Sequence, residues 1–152
     1  MLRKNPNQKP KVTGGTFAIV ASRYNAAYVD AMLHLAREEL LAAGAHVRIV
    51  RVPGAFEIPA VAARLAQRGR YDAIICLGVV FVGETSHADQ ITRGVTHALA
   101  QIQVLHKIPI IHGVYEFSKI KHAKVRCLGK KHNRGIETAR TALEMARVMK
   151  SI

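Results

Sequence analysis

The densest group of chemically useful residues in the chain is Gly83-Glu84-Thr85-Ser86-His87. Glycine lets the main chain approach an anion, the hydroxyls of Thr85 and Ser86 can donate to it, and the free amides of a helix that starts here would form a partly positive cradle for a phosphate. In the first turn of such a helix the dipole disfavours an imidazolium, so His87 reads as a neutral general base. Taken alone, such a run is more often an ordinary capped helix start. A second group, Val52-Pro53-Gly54-Ala55-Phe56-Glu57-Ile58-Pro59, has two prolines and a glycine that fix a turn. Glu57, at a helix start, can accept bonds from ligand hydroxyls, although a capping role is the plainer reading. The third group is basic: Lys119, Lys121, Lys124, Arg126, Lys130, Lys131 and Arg134 fall between Glu116 and Glu137 with no acidic residue among them, in a chain of formal net charge +13. Such a run suits a phosphorylated substrate, a nucleic acid or an anionic membrane, and a solvated face accounts for most of its side chains.

The elements that must position these groups alternate along the chain. Thr16 to Ala21, His46 to Arg51, Ala73 to Phe81 and Pro109 to Val114 are short apolar runs bounded by turn residues, and each predicts a strand. Between them, Val29, Met32, Leu33, Ala36 and Leu40, then Ile58, Val61, Ala62 and Leu65, then Ile91, Val95, Ala98, Leu99 and Ile102 recur at helical spacing. Ile136, Ala139, Leu143, Ala146 and Met149 predict a last helix, with Glu137, Arg140, Glu144 and Arg147 as a charged stripe in which Glu137 pairs with Arg140. Ser86 and Asp89 fit a capping box at the third helix. Continuous apolar strands separated by helices imply an α/β fold, a three-layer α/β/α sandwich with a four-stranded parallel sheet. Such sheets bind ligands beyond the carboxyl ends of their strands. The junctions to inspect are therefore Ser22 to Asn25, Val52 to Glu57, Val80 to His87, and the segment after Val114. Residues 1–14 read as a flexible basic tail and 15–152 as a single domain.

Other functions lack their signatures. The longest nearly uninterrupted apolar run, Ala73 to Val82, is too short for a membrane span. The opening residues lack the apolar stretch of a secretory signal, so a cytoplasmic protein is expected. Cys76 and Cys127 fit no metal or redox spacing, and no dinucleotide glycine pattern occurs, so no cofactor is expected. Zinc-finger, helix-turn-helix and single-strand-binding patterns are absent, and only Phe117 interrupts the basic run with an aromatic ring, which disfavours nucleic acid.

Val52 to Pro59, then Gly83-Glu84-Thr85-x-His87, then Asn133-Arg134-Gly135 with Glu137 resemble the signature segments of the lumazine synthase family, in that family's order and at closely similar separations. The similarity runs from about Phe17 to Met149. It implies a flavodoxin-like fold and a transferase that condenses 5-amino-6-(D-ribitylamino)uracil with 3,4-dihydroxy-2-butanone 4-phosphate, in the penultimate step of riboflavin biosynthesis. The resemblance also implies a homo-oligomer of pentamers with active sites between subunits. The family includes pentamers, decamers and icosahedral capsids of sixty subunits, and the lack of an insertion between Cys127 and Gly135 points to a shell. Riboflavin synthase is a candidate partner. Carried across by position, Tyr24 would stack on the pyrimidinedione, Gly54, Ala55, Phe56 and Glu57 would hold the ring edge and ribityl chain, and Val80 and Phe81 would line the pocket. Gly83, Glu84 and Thr85 would meet the keto-phosphate with Arg126 of the adjacent subunit, and His87 would move protons. His112 and Arg134 would come from that neighbour too.

Four positions depart from the family pattern. Val82 stands where an arginine is usual, Ala88 replaces a common aromatic, His112 a usual phenylalanine, and Arg134 the lysine thought to bond a pyrimidine carbonyl, with a planar fork of different reach. They leave room for a catalytically weak lumazine- or flavin-binding paralogue. A basic nucleic-acid-binding module is the more distant alternative.

Overall fold

In a computed structural model, residues 14–152 are described; the expected basic tail lies almost wholly outside them. Four strands, β1 (Thr16–Ser22), β2 (His46–Val52), β3 (Ala73–Phe81) and β4 (Ile110–Phe117), form one parallel sheet in the order β2-β1-β3-β4. Side-chain alternation divides the core between the two faces. Phe17, Ile19, Ile75, Leu77 and Ile111 pack against helices α1 (Ala26–Ala42) and α5 (Arg134–Lys150). Val20, Ile74, Cys76, Ile110 and Val114 pack against α2 (Ile58–Gln67) and α3 (His87–His106). The expected three-layer sandwich is therefore the observed one. Burial follows position: β1 and β3 lie inside the sheet and are buried almost throughout, whereas on β2, an edge strand, only Val52 is fully buried.

The chain's first crossover leads from β1 to β2 on one side, and the next returns past β1 to β3 on the other. The order thus reverses between β1 and β3, where their carboxyl ends diverge and leave a crevice. Side chains brace this end of the sheet. Asn25, in the left-handed region at φ 58°, donates from Nδ2 to the Val79 carbonyl at 2.7 Å, joining the start of α1 to β3. Arg51 reaches from β2 to the carbonyls of Ala21 and Ser22 and to Asp30 of α1 at 2.7 Å.

The structure departs from the sequence expectations in several places. β4 continues past Val114 to Phe117, because Tyr115 and Phe117 enter an aromatic row with Phe81 that ends edge-on against Tyr28, 5.3 Å between centroids. A short helix α4 (Ile120–Ala123) and a wide helical turn, Lys124–Leu128, follow. Ser86 makes no capping bond; it accepts from the Gln90 side chain at 3.3 Å, and Asp89 pairs with Arg93 at 2.8 Å. Glu137 accepts from Arg134 at 2.5 Å, while Arg140 reaches Glu39 on α1 at 3.1 Å. Met149, expected in the apolar seam of α5, is exposed. Among the described residues no helix is long and apolar enough to cross a membrane.

Candidate active site

The turn after β2 is built around Gly54. Its amide donates to Glu57 Oε2 at 2.9 Å, so the carboxylate does cap the turn, as its plainer reading had it, with Oε1 left over. A Cβ at Gly54 would stand 2.9 Å from both that oxygen and the Tyr24 ring, so only glycine lets the Tyr24 ring edge and the Glu57 carboxylate converge. Tyr24 is further tied by its amide to the Pro53 carbonyl at 3.0 Å. Phe56 leans toward α3, where a Cβ on Gly94 would lie 3.7 Å from its ring. Tyr24 and Phe56 expose 67% and 63% of their surface, unusual for aromatic rings and fitted to a flat partner. Ala55 is buried beneath them.

The floor of this crevice holds a residue whose role the sequence does not announce. Ser22 ends β1 on the α2/α3 face, is 1% exposed, and its Oγ is the buried side-chain polar atom among the described residues that finds no partner. It lies near Gly78 and the Ala55 turn. Its only sequence signal is its place at the end of a buried strand.

Val80 packs with the α2/α3 side, facing the crevice. Phe81 alternates to the opposite face, where its ring is held between Tyr28 and Phe117; its main chain is what it offers the crevice. Gly83, Glu84, Thr85 and His87 are all exposed, with open space around the Gly83 Cα. Thr85 Oγ1 accepts from the His87 amide at 3.3 Å, so this helix start is tied by Thr85 rather than by Ser86. Val82 donates its amide to the Phe117 carbonyl at 3.0 Å, a bond any non-proline residue there could make, and leaves its side chain exposed, whereas Ala88 is buried.

His112 lies on β4, Arg134 stacks on a ring of that strand, and Arg126 belongs to the turn after it. His112 pairs in register with Cys76, five positions short of Phe81. At about 3.3 Å per residue it sits roughly 16 Å down the strand from the mouth of the crevice. It bonds Thr96 of α3 at 2.7 Å, and burial pushes its imidazole below the ordinary 6.5. A cavity of about 330 Å³ opens along this edge between Gln103 of α3, His112 and Tyr115 of β4, and Glu137, Thr141 and Met145 of α5. Arg134 stacks over the Tyr115 ring at 5.6 Å, and burial raises the Tyr115 phenol to about 12, so it stays neutral.

Arg126 is half-buried in the wide turn before α5. One side chain links that turn to Arg134. Asn133, 1% exposed, donates from Nδ2 to the Cys127 carbonyl at 2.6 Å and accepts from the amides of Gly135 at 2.8 Å and Ile136 at 3.4 Å. A Cβ on Gly135 would overlap the Met32 carbonyl, so glycine lets α5 close on α1. Within Asn133-Arg134-Gly135, the outer two residues hold the fold, and the middle one pairs with Glu137 and stacks over Tyr115. Cys127 is no nucleophile, its thiol raised by burial to about 11.

The candidate residues thus fall in two groups: exposed aromatics and a histidine-tipped loop at the crevice, and His112, Arg126 and Arg134 on or after the edge strand β4. The family model for 6,7-dimethyl-8-ribityllumazine synthase matches residues 14–150. The chain belongs to this family. Relatives named 6,7-dimethyl-8-ribityllumazine synthase include one from Desulfosudis oleivorans, 39% identical over 142 residues, covering 91% of this chain and 90% of the relative. Another, from Desulfotalea psychrophila, is 37% identical over 145 residues, covering 93% and 94%. Membership in the lumazine synthase family accounts for the three signature segments at once, since each falls in one of the two groups.

Proposed function

We propose that this chain condenses 5-amino-6-(D-ribitylamino)uracil with 3,4-dihydroxy-2-butanone 4-phosphate to give 6,7-dimethyl-8-ribityllumazine, phosphate and water. The observation that carries the reading is the division of the site. Tyr24, Phe56, Glu57 and His87 stand at the crevice, while His112 lies about 16 Å down the edge strand β4, Arg134 stacks on Tyr115 of that same strand, and Arg126 sits in the turn that follows it. One protomer therefore offers the ring-binding half of one site and the cationic half of another, and a ring of head-to-tail contacts completes both.

The substrate amine adds to the ketone and water leaves as the imine forms. Loss of the neighbouring carbon-bound proton expels phosphate, and the resulting enol returns to a ketone by taking a proton back. The ribityl-bearing nitrogen attacks that ketone, and a further water leaves as the second ring closes. His87, exposed at the helix start, takes and returns these protons. Thr85, the amides around Gly83 and Glu84, and Arg126 of the next protomer hold the phosphate, whose departure their positive character eases. Tyr24 and Phe56 bracket the pyrimidine, the free Glu57 oxygen accepts from the ribityl chain, and Arg134 of the neighbour donates to a ring carbonyl. Residues 15–152 form the catalytic domain of a cytosolic pentamer-based particle, and the uninterrupted turn from Cys127 to Gly135 favours a closed shell near a megadalton.

The test mixes purified protein with both substrates and follows product absorbance. His87→Ala lowers kcat by about 10²–10⁴-fold, the range of a well-placed acid–base group. Arg126→Ala chiefly raises KM for the keto-phosphate. Product binding without turnover by the wild type contradicts the reaction, and an unchanged phosphate requirement in Arg126→Ala contradicts the clamp.

A further inference from the structure

We propose that the lysines flanking Arg126 form an anion-collecting surface, which concentrates the doubly charged keto-phosphate at the pocket that Arg126 enters. The inference rests on the reaction proposed above. Lys119, Lys121, Lys124, Lys130 and Lys131 are all exposed, and none of their ammonium groups has a hydrogen bond or ion pair among the described residues. The carboxylates that bound the run are engaged: Glu116 by the Thr92 hydroxyl at 2.7 Å, and Glu137 by Arg134. The Thr92 hydroxyl leaves Glu116 charged, so one carboxylate at the edge of the run offsets part of its field, while the five lysines themselves have no ion-pair partner among the described residues. Surfaces ordinarily intersperse the two signs, and a block of one sign costs self-repulsion. Elsewhere this protein follows that rule, with Asp30 on Arg51, Asp89 on Arg93 and Glu144 on Arg147.

Location favours a small anion over a polyanion. The run begins where β4 ends, at the carboxyl end of the sheet where the crevice and the Gly83 loop also lie. Its one phenyl ring, Phe117, is committed to the row with Phe81 and Tyr115, so the imidazoles of His122 and His132 are the rings it has left for a base. Its two half-buried cations are Arg134, which is paired with Glu137, and Arg126, the group proposed to touch phosphate.

Four lysines at about 15 Å from a dianion lower its KM by about sixfold at 20 mM ionic strength and about twofold at 150 mM, taking the water dielectric constant and Debye lengths of roughly 20 and 8 Å. The experiment measures KM for the keto-phosphate at both ionic strengths, for the wild type and for a Lys121→Gln, Lys124→Gln, Lys130→Gln, Lys131→Gln variant that keeps Arg126. The wild-type KM should rise about threefold with salt. The variant should start about sixfold higher at low salt and stay nearly flat, with kcat and KM for the pyrimidine unchanged. Calorimetric binding of inorganic phosphate should show the same pattern without turnover, and the salt dependence of the wild type tests the field even if the variant misfolds. A salt-independent KM in the wild type overturns the proposal. So does a variant that loses retention on RNA while its phosphate KM is unchanged, which would assign the surface to a polyanion. A wild type that binds phosphate in this salt-dependent way but makes no product refutes the proposed reaction and leaves the anion surface standing.

Discussion

Replacing Asn133 with alanine should uncouple both cationic residues from the fold. The side chain caps α5 by accepting from Gly135 and Ile136 and fastens the preceding turn through the Cys127 carbonyl, all at a position only 1% exposed. Losing an N-cap costs about 1 kcal/mol. Leaving a buried carbonyl without its donor costs a further 1–3 kcal/mol, roughly. For a chain of this length a combined loss of about 3 kcal/mol lowers the midpoint of thermal unfolding by about 6–12 °C. Asn133→Ser keeps a capping oxygen but cannot span to Cys127, so it should recover only the capping share. Because Arg126 immediately precedes Cys127 and Arg134 follows Asn133, the serine variant should also show a raised KM for both substrates at temperatures where it is folded. Calorimetry at matched protein concentration, needed because assembly shifts the midpoint, reads the first effect and steady-state kinetics the second. A midpoint for Asn133→Ala within about 2 °C of the wild type would refute the reasoning.

Three other perturbations separate the parts of the site. Gly54→Ala places a methyl 2.9 Å from the Tyr24 ring and the Glu57 carboxylate, so it should raise KM for the pyrimidine while circular dichroism stays native; an unchanged KM would free Tyr24 from its assigned role. Tyr115→Leu removes the ring beneath Arg134, a contact of about 0.5–2 kcal/mol, and should weaken pyrimidine binding by about 2- to 30-fold, whereas Tyr115→Phe should not. At His112 the folded imidazole titrates below the ordinary 6.5, so the unfolded chain takes up the proton first. Its share of stability is complete above about 6.5 and is lost as pH falls through that value toward the folded one. Urea midpoints measured against pH should therefore fall more steeply for the wild type than for His112→Gln, and parallel curves would contradict the shift.

The sequence made the interior strands plain because burial on both faces leaves an unbroken apolar run, and Ala73 to Phe81 is β3 from end to end. Edge elements were harder to read. Tyr115-Glu116-Phe117 extends β4 through ring contacts with Phe81 and Tyr28, partners that no local pattern exposes. The turn carrying Arg126 has no apolar periodicity, since its order comes from Asn133 after it. Ion pairs on α5 could not be read from spacing alone: an i,i+3 neighbour was foreseen for Glu137, but Arg134 on the preceding turn is the residue seen to hold it. Ser22 was invisible for a different reason, because an unpartnered hydroxyl is a property of packing. The candidate site itself was legible through its three segments, and what they could not convey was that they divide between two regions of one protomer.

The most direct test of that division mixes two inactive chains. His87→Ala supplies an intact cationic edge and Arg126→Ala an intact crevice, so unfolding and reassembling them together at equal amounts should give about one quarter of the sites both groups from adjoining protomers. Turnover at that fraction of the wild-type rate, at keto-phosphate concentrations where either variant alone is nearly silent, is the predicted result. A mixture no more active than its two components would mean that His87 and Arg126 must come from the same chain, and the account of a shared site would fail.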